Sequence, residues 1–199
     1  EQLINNLRKR LAQTLPGIAA QRKMANSKRF DERFVQENRA GARLGAVLIP
    51  LYLHEGRLSV VLMKRPNYRG THSGQVSFPG GKHEEEDPDL QFTALRESQE
   101  EVGLPPQSVE VIGQLTDLYI PPSNFLVHPF VGFVRELPEL VPDQHEVESI
   151  LQAEMSHFFE HDFREKDIRI TEHFSLNAPY YEVDGHTVWG VTAMILAEL

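Results

Sequence analysis

Hydrophobic residues change their spacing near residue 40. Before that point the chain is polar and basic, and Leu3, Leu7 and Leu11 recur at helical spacing until Pro16-Gly17 interrupts them. From residue 44 onward the apolar residues come in short β-branched runs, which are typical of strands. The pattern predicts a helical and irregular extension over residues 1–40 and a folded domain over residues 41–199.

Several strands and helices are predicted inside the domain. The runs RLGAVLIPLYL and LSVVLMKR, separated by HEGR, predict a hairpin, and QSVEVIGQLTDLYI and HPFVGFVREL predict two more strands. Helices are predicted in HEVESILQAEMSHFFE, where Val147, Ile150 and Leu151 share one side, and at the end of the chain in HTVWGVTAMILAEL. Because strands and helices are interspersed without a regular βαβ rhythm, an α/β fold of the α+β kind, with α/β/α layers, fits best.

A further helix is predicted over residues 88–102. Asp87 followed by Pro88 is a good helix start, and Gly103 is a good stop. The side of this helix that is expected to pack on the sheet carries Phe92, Leu95 and Val102.

Three glutamates stand on one face of this helix. Glu97, Glu100 and Glu101 are spaced i, i+3, i+4, so their carboxylates lie within a single turn and repel one another unless a cation offsets them. Oxygen ligands suit hard ions such as Mg²⁺ or Mn²⁺, and Mg²⁺ commonly sits between carboxylates and substrate phosphates. The spacing therefore predicts a metal site and phosphate chemistry, whereas a plain solvated helix face is the alternative.

Composition and charge restrict the possible metal ligands, partners and location of the protein. The chain has 199 residues, no cysteine and a formal net charge of -9, so any metal must be held by oxygen or imidazole ligands. The negative charge argues against general nucleic-acid binding, which needs a basic surface. No apolar run reaches the roughly 18 residues of a membrane span, and no secretory signal is evident. We therefore expect a cytoplasmic protein without a nucleic-acid or membrane partner.

The stretch GGKHEEEDPDLQFTALRESQEEVGL resembles the signature of the Nudix hydrolases, in which a glycine and an acid precede R-E-x-x-E-E-x-G. Asp87 replaces the usual glutamate, one extra residue separates it from Arg96, and Ser98 takes an aliphatic position. The resemblance implies an α/β/α sandwich with a mixed central sheet, in which a loop-helix-loop holds Mg²⁺ or Mn²⁺ on Glu97, Glu100 and Glu101. It also implies hydrolysis of a diphosphate in a small nucleotide.

The remaining catalytic roles stay open. Arg96 is expected to orient a glutamate, because it faces a different side of the helix from Glu100, and a surface salt bridge is its alternative. The general base is a helix glutamate, such as Glu97 or Glu100, or an acid of the DQHEVE loop, where Glu146 and Glu148 are candidates. As solvated residues at a helix start, these two acids are more often without a catalytic role.

The upstream stretch LMKRPNYRGTHSGQVSFPGG resembles the additional signature of the coenzyme A diphosphatase branch of that family. We expect five of its residues to contact substrate, namely Lys64, Arg65, Arg69, Gly80 and Gly81. Pro66 departs from the signature, and Arg69 is displaced by one residue. Exposed basic residues on a strand end and a loop are the alternative.

Three functions remain open at this point. The first is hydrolysis of coenzyme A or acyl-coenzyme A to 3',5'-ADP and (acyl-)4'-phosphopantetheine, and the second is hydrolysis of ADP-ribose, NADH or a related dinucleotide. The third is a non-catalytic nucleotide-binding regulator, which the intact glutamates disfavour. Homodimers are common among such enzymes. Tyr119, Phe125 and Trp189 are expected in the core, with stacking on adenine as the alternative.

Overall fold

The computed structural model describes residues 2–25, 39–68, 72–159, 164–171 and 174–199. Its larger sheet contains the strands β1 Arg43–His54, β2 Arg57–Lys64, β3 Val76–Ser77, β4 Gly80–Lys82, β5 Val109–Gln114, β6 Leu118–Ile120, β7 Phe125–Val134 and β8 Ser149–Glu154. The smaller, antiparallel sheet contains β9 Arg164–Thr171, β10 Phe174–Val183 and β11 His186–Trp189. The helices are α1 Gln2–Leu11, α2 Ile18–Gln21, α3 Leu90–Val102 and α4 Gly190–Glu198.

The larger sheet is mixed. Its main path runs β3-β2-β1-β7-β5, with β4 beside β1, β6 beside β7 and β8 beside β2. β1 and β7 run parallel, and the other pairs are antiparallel. The predicted hairpin is confirmed, since Leu51 pairs with Val60 across a turn in which Glu55 and Gly56 have positive φ angles.

Both faces of the sheet are buried, which explains the near-continuous apolar runs of β1 and β2. Leu48 and Val61 pack on the side of α3, whereas Ile49 and Val60 pack on the opposite side. That opposite side is covered by α1, α4 and residues of the smaller sheet. The predicted α/β/α layering is confirmed.

The helix predicted over residues 145–160 is wrong. Ser149–Glu154 form β8, which pairs with β2, and only Met155–Phe158 make a short 3-10 helix. Ile150 faces the α3 side of the sheet and Leu151 faces the opposite side. Because both sides of the strand are covered, the neighbouring residues Ile150 and Leu151 can both be apolar. Together with Val147 they give a spacing that resembles that of a helix.

The predicted start of α3 also needs correction. Asp87 is buried and is not the N-cap, because Asp89 takes that position and its Oδ1 accepts the backbone N–H of Phe92 at 2.7 Å. With the helix beginning at Leu90, Phe92 points outward and is 46% exposed. Small or short residues form much of the buried stripe instead, namely Thr93, Ala94, Ser98 and Val102. The helix end is as predicted, with Gly103 left-handed at φ 70°.

The amino-terminal segment packs on the domain. The helix predicted there is present as α1, and Ile4, Leu7 and Leu11 contact the core. Met24 is fully buried, and the Gln21 side chain donates to Glu198 of α4 at 2.7 Å. The irregular chain predicted next falls mostly on residues 26–38, outside the described residues. Within the described ranges, no helix combines the length and hydropathy that spanning a bilayer requires.

Candidate active site

Two glycines allow close packing at the sheet edge, Gly80 against β1 and Gly81 against helix α3. Gly80 has φ 153°, and a Cβ there would lie 2.3 Å from the carbonyl oxygen of Ala46. A Cβ at Gly81 would lie 2.4 Å from the carboxylate of Glu97. These positions exclude any larger residue unless the neighbours move, so the glycines of FPGG make room for β1 and for a glutamate. Neither observation requires them to touch substrate.

Arg96 is surrounded by carboxylates. Its Nε and Nη2 donate to the two oxygens of Asp87 at 2.9 and 3.0 Å, and Nη1 lies 3.0 Å from Glu97 and 2.8 Å from Glu100. The expectation that Arg96 and Glu100 face different sides is wrong, because residues four apart on a helix are neighbours. Arg96 is therefore in contact with the glutamates that it was predicted to orient.

Asp87, which precedes the helix in the chain, holds Arg96 in place. Its carboxylate is buried and also accepts hydrogen bonds from the Thr93 hydroxyl at 2.8 Å and the Glu84 backbone N–H at 3.1 Å. The guanidinium of Arg96 holds the pKa of Asp87 well below its usual range, and these two donors act in the same direction against the effect of burial. The hydrogen bonds from Asp87 in turn raise the pKa of Arg96. The pair therefore stays ionised.

Glu101 is turned inward, with a side chain only 2% exposed. Its Oε2 accepts the backbone N–H of Gly80 at 2.7 Å, and its Oε1 accepts Arg65 Nη2 at 3.0 Å. Burial raises its pKa to about 7, and the charges of Glu97 and Glu146 add to this, whereas Arg65 and the Gly80 amide oppose it. Arg65, predicted to bind substrate, is thus the ion-pair partner of a helix glutamate.

Glu146 joins this cluster from another part of the chain. The backbone N–H of Asp143 donates to the carbonyl of Glu101 at 2.9 Å, and the Asp143 side chain accepts the N–H of Glu146 at 3.2 Å. Burial raises the pKa of Glu97, and the charges of Glu100 and Glu146 raise it further against the effect of Arg96. The structure therefore brings Glu146 within electrostatic range of Glu97 and Glu101.

Other predicted residues lie elsewhere. Lys64 Nζ lies 2.5 Å from Glu148, and its carbonyl accepts the Glu148 backbone N–H at 2.8 Å. This pairing keeps both residues at the β2–β8 edge, away from the lining of the cavity described next. Arg69 falls outside the described residues.

A cavity of about 270 Å³ adjoins the carboxylates. It shares Arg65, Gly80 and Gly81 with them, and Phe125 and Trp189 are among its apolar lining residues. The expected core position is therefore wrong for Phe125 and Trp189, which line the cavity. Tyr119 is buried as expected, and its hydroxyl donates to Asn124 at 3.0 Å. Sequence reasoning missed several polar lining residues, because only the fold brings them together: Tyr68, Gln75, Ser77, Ser123 and Thr192.

Comparison with known families agrees with this geometry. The family model described as "NUDIX domain" matches residues 42–174. The chain belongs to the NUDIX family.

Curated Nudix relatives cover most of the chain. Nudix hydrolase 22, chloroplastic, of Arabidopsis thaliana is 38% identical over 81% of this chain, which spans only 57% of that protein's length. The mitochondrial coenzyme A diphosphatase NUDT8 of Mus musculus is 35% identical over 75% of this chain and 73% of its own length. The NUDIX domain of Shewanella oneidensis NrtR, solved with ADP ribose, superposes with a TM-score of 0.50 at 18% identity, over 66% of this chain and 88% of that one. At that identity the likeness concerns the fold alone.

Nudix hydrolases generally need divalent metal ions, and Glu97, Glu100 and Glu101 are the predicted ligands. Among the described residues, no three His, Asp or Glu side chains stand together as a ready-made metal group. Mg²⁺ does not need such a cage, since it keeps several waters and uses one or two carboxylates plus substrate phosphates. Glu97 and Glu100 each use one oxygen for Arg96, and each oxygen of Glu101 retains a second lone pair. The donor chemistry therefore fits a hard divalent ion.

Proposed function

We propose that this Nudix chain hydrolyses the diphosphate bond of coenzyme A or acyl-coenzyme A with a divalent ion, releasing 3',5'-ADP and (acyl-)4'-phosphopantetheine. The observation that carries the proposal is the cluster of Glu97, Glu100, Glu101 and Glu146 beside a cavity to which Arg65 contributes. The name of the NUDT8 relative and the LMKR to FPGG stretch support coenzyme A as the substrate.

Glu97, Glu100 and Glu101 are the residues that would hold Mg²⁺ or Mn²⁺. When bound, such an ion neutralises phosphate oxygens and lowers the pKa of a coordinated water. The protein's part is to hold these carboxylates in fixed positions along one helix turn. Arg96 contacts Glu97 and Glu100, while Arg65 and the Gly80 N–H hold Glu101.

Glu146 is the residue that we assign as general base. It lies on a loop, and its charge raises the pKa of Glu97 and of Glu101, two of the proposed metal ligands. The other loop candidate, Glu148, is already paired with Lys64. A base must reach the proton that it removes, and this geometric requirement favours Glu146.

Product analysis tests the proposal. The protein is incubated separately with coenzyme A, ADP-ribose and NADH, each with Mg²⁺, with Mn²⁺ and with chelator, and Glu100→Gln serves as the inactive control. Preferential metal-dependent release of 3',5'-ADP from coenzyme A is the expected result. If only ADP-ribose or NADH is hydrolysed, that compound and not coenzyme A is the substrate. If none of the three is hydrolysed, a nucleotide-binding regulator is favoured.

A further inference from the structure

Arg43, at the start of β1, is held by an aromatic ring and a carbonyl group. Its Cζ lies 4.3 Å from the centroid of Phe125, and Nη2 donates to the backbone carbonyl of Ser123 at 2.6 Å. In the described ranges, no carboxylate lies within 4.0 Å of its guanidinium. Other arginines of this acidic chain do have a carboxylate at 3.0 Å or less: Arg8, Arg39, Arg57, Arg65 and Arg96.

Arg43 lies on the cavity side of β1. Side chains two apart on a strand share a face, and Gly45 and Val47 both line the cavity. A Cβ at Gly45 would lie 3.1 Å from Phe125 Cδ1, so the absence of a side chain there lets the ring lie against the strand. Phe125 and Ser123 also line the cavity, which places the guanidinium at its rim.

The Ser123 hydroxyl at this rim has no hydrogen-bond partner in the part of the chain that the structure describes. The hydroxyl oxygen of Ser123 is buried and makes no hydrogen bond with any described residue, although the carbonyl of the same residue accepts from Arg43. A guanidinium carries five N–H donors, and only one is used by Ser123. Several donors are therefore left beside the same stretch of cavity wall.

The strand register gives the separation between this rim and the carboxylates. Ala46 pairs with Gly81, the residue against which Glu97 lies. Arg43 precedes Ala46 by three residues, which corresponds to about 10 Å along a strand. Two anionic groups of one small molecule can span this distance, one at the carboxylates and the other at Arg43.

We propose that Arg43 is a specificity-determining residue that binds a second anionic group of the substrate, a phosphomonoester on the nucleotide ribose. The ring and the Ser123 carbonyl hold the guanidinium in place, and a held guanidinium suits bidentate binding of phosphate. The inference rests on the proposed function, because coenzyme A carries such a phosphate on its 3' oxygen whereas dephospho-coenzyme A lacks it. It adds a residue and a discrimination that the metal site does not provide.

Turnover of those two compounds tests the inference. In Arg43→Ala, kcat/KM for coenzyme A falls roughly tenfold to a hundredfold, as expected for lost charged hydrogen bonds, while that for dephospho-coenzyme A stays within about twofold. Arg43→Lys lies between, because lysine keeps the charge but not the fork. Arg57→Ala removes another exposed arginine, one that is paired with Glu154, and we expect it to change neither value. Equal losses on both substrates, or no loss on coenzyme A, would overturn the inference.

Calorimetric binding without turnover separates this inference from the proposed function. With chelator present, the wild-type chain should bind 3',5'-ADP at least about tenfold more tightly than AMP, and Arg43→Ala should bind both equally. That result would stand even if coenzyme A were not hydrolysed, in which case the proposed function alone would be wrong. A wild-type chain that does not prefer 3',5'-ADP, or an Arg43→Ala chain that keeps the preference, contradicts the role of Arg43. Arg43 is exposed, so both variants should fold.

Discussion

Arg96 donates two hydrogen bonds to the buried carboxylate of Asp87, from Nε at 2.9 Å and from Nη2 at 3.0 Å. The remaining nitrogen of the same guanidinium, Nη1, contacts Glu97 and Glu100. The position of two ligand candidates is therefore set by an aspartate that precedes the helix. Removing that aspartate should affect stability and activity together.

Asp87→Asn should lower the free energy of unfolding by about 2–3 kcal/mol at pH 7, because Arg96 loses a buried anionic partner. The folded-state pKa of Asp87 lies below its unfolded value, so its stabilising effect is complete above about pH 4 and is lost as the pH falls further. Urea unfolding from pH 7 to pH 3 checks this prediction. The wild type should lose more stability than the variant over the acidic part of the range, and parallel curves would contradict it.

Gly81→Ala should lower kcat at least about a hundredfold while the chain still folds. The added Cβ would lie 2.4 Å from the Glu97 carboxylate, which is the movable end of a side chain, so the glutamate is displaced rather than the strand. Gly41→Ala is the matched control, since a Cβ there meets nothing within 4 Å. Circular dichroism and steady-state kinetics measure the two effects. Full activity in Gly81→Ala would mean that Glu97 takes no part in the reaction.

Glu100→Gln should abolish metal-dependent turnover without a change in stability beyond about 0.5 kcal/mol. Its side chain is 59% exposed, so the substitution removes a ligand charge but little packing. Glu85→Gln also removes one exposed carboxylate, from the loop before α3, and should keep wild-type kinetics. Thermal melts and metal titrations of activity distinguish the two variants. Comparable activity in both would mean that Glu100 is not a ligand.

Arg65→Gln should lower kcat more than it raises KM for coenzyme A, because Arg65 holds Glu101 in place. It should also destabilise the chain by about 2 kcal/mol, since Glu101 is left buried without a cation. Arg65→Lys should recover much of the stability. If the main effect of Arg65→Gln is instead a raised KM with unchanged stability, then Arg65 binds substrate, as its place in the LMKR stretch predicts.

Glu146→Gln should reduce kcat by roughly a hundredfold or more if this residue is the general base. Glu148→Gln is the matched control, since Glu148 belongs to the same loop region but is paired with Lys64. The kcat of both variants is measured from pH 6 to pH 9 under saturating metal. A rise of kcat with pH that persists unchanged in Glu146→Gln would assign the base to another residue.

Local pattern alone was sufficient for several features. The hairpin of β1 and β2 and the end of α3 at Gly103 depend on residues close together in the chain. Where the pattern was ambiguous, tertiary context decided. The apolar spacing of β8 predicts a helix. The two neighbouring apolar residues Ile150 and Leu151 are explained only by the packing of other elements on both sides of the sheet.

The sequence by itself determined the kind of chemistry, because clustered carboxylates on one helix turn and an absence of cysteine restrict the ligands to oxygen and imidazole. It did not determine which distant residues act with that turn. Three contacts join residues far apart in the chain: Glu146 lies near Glu101, Arg65 pairs with Glu101, and Arg43 packs on the ring of Phe125. Such contacts depend on strand order and loop path, so only the tertiary structure decided them.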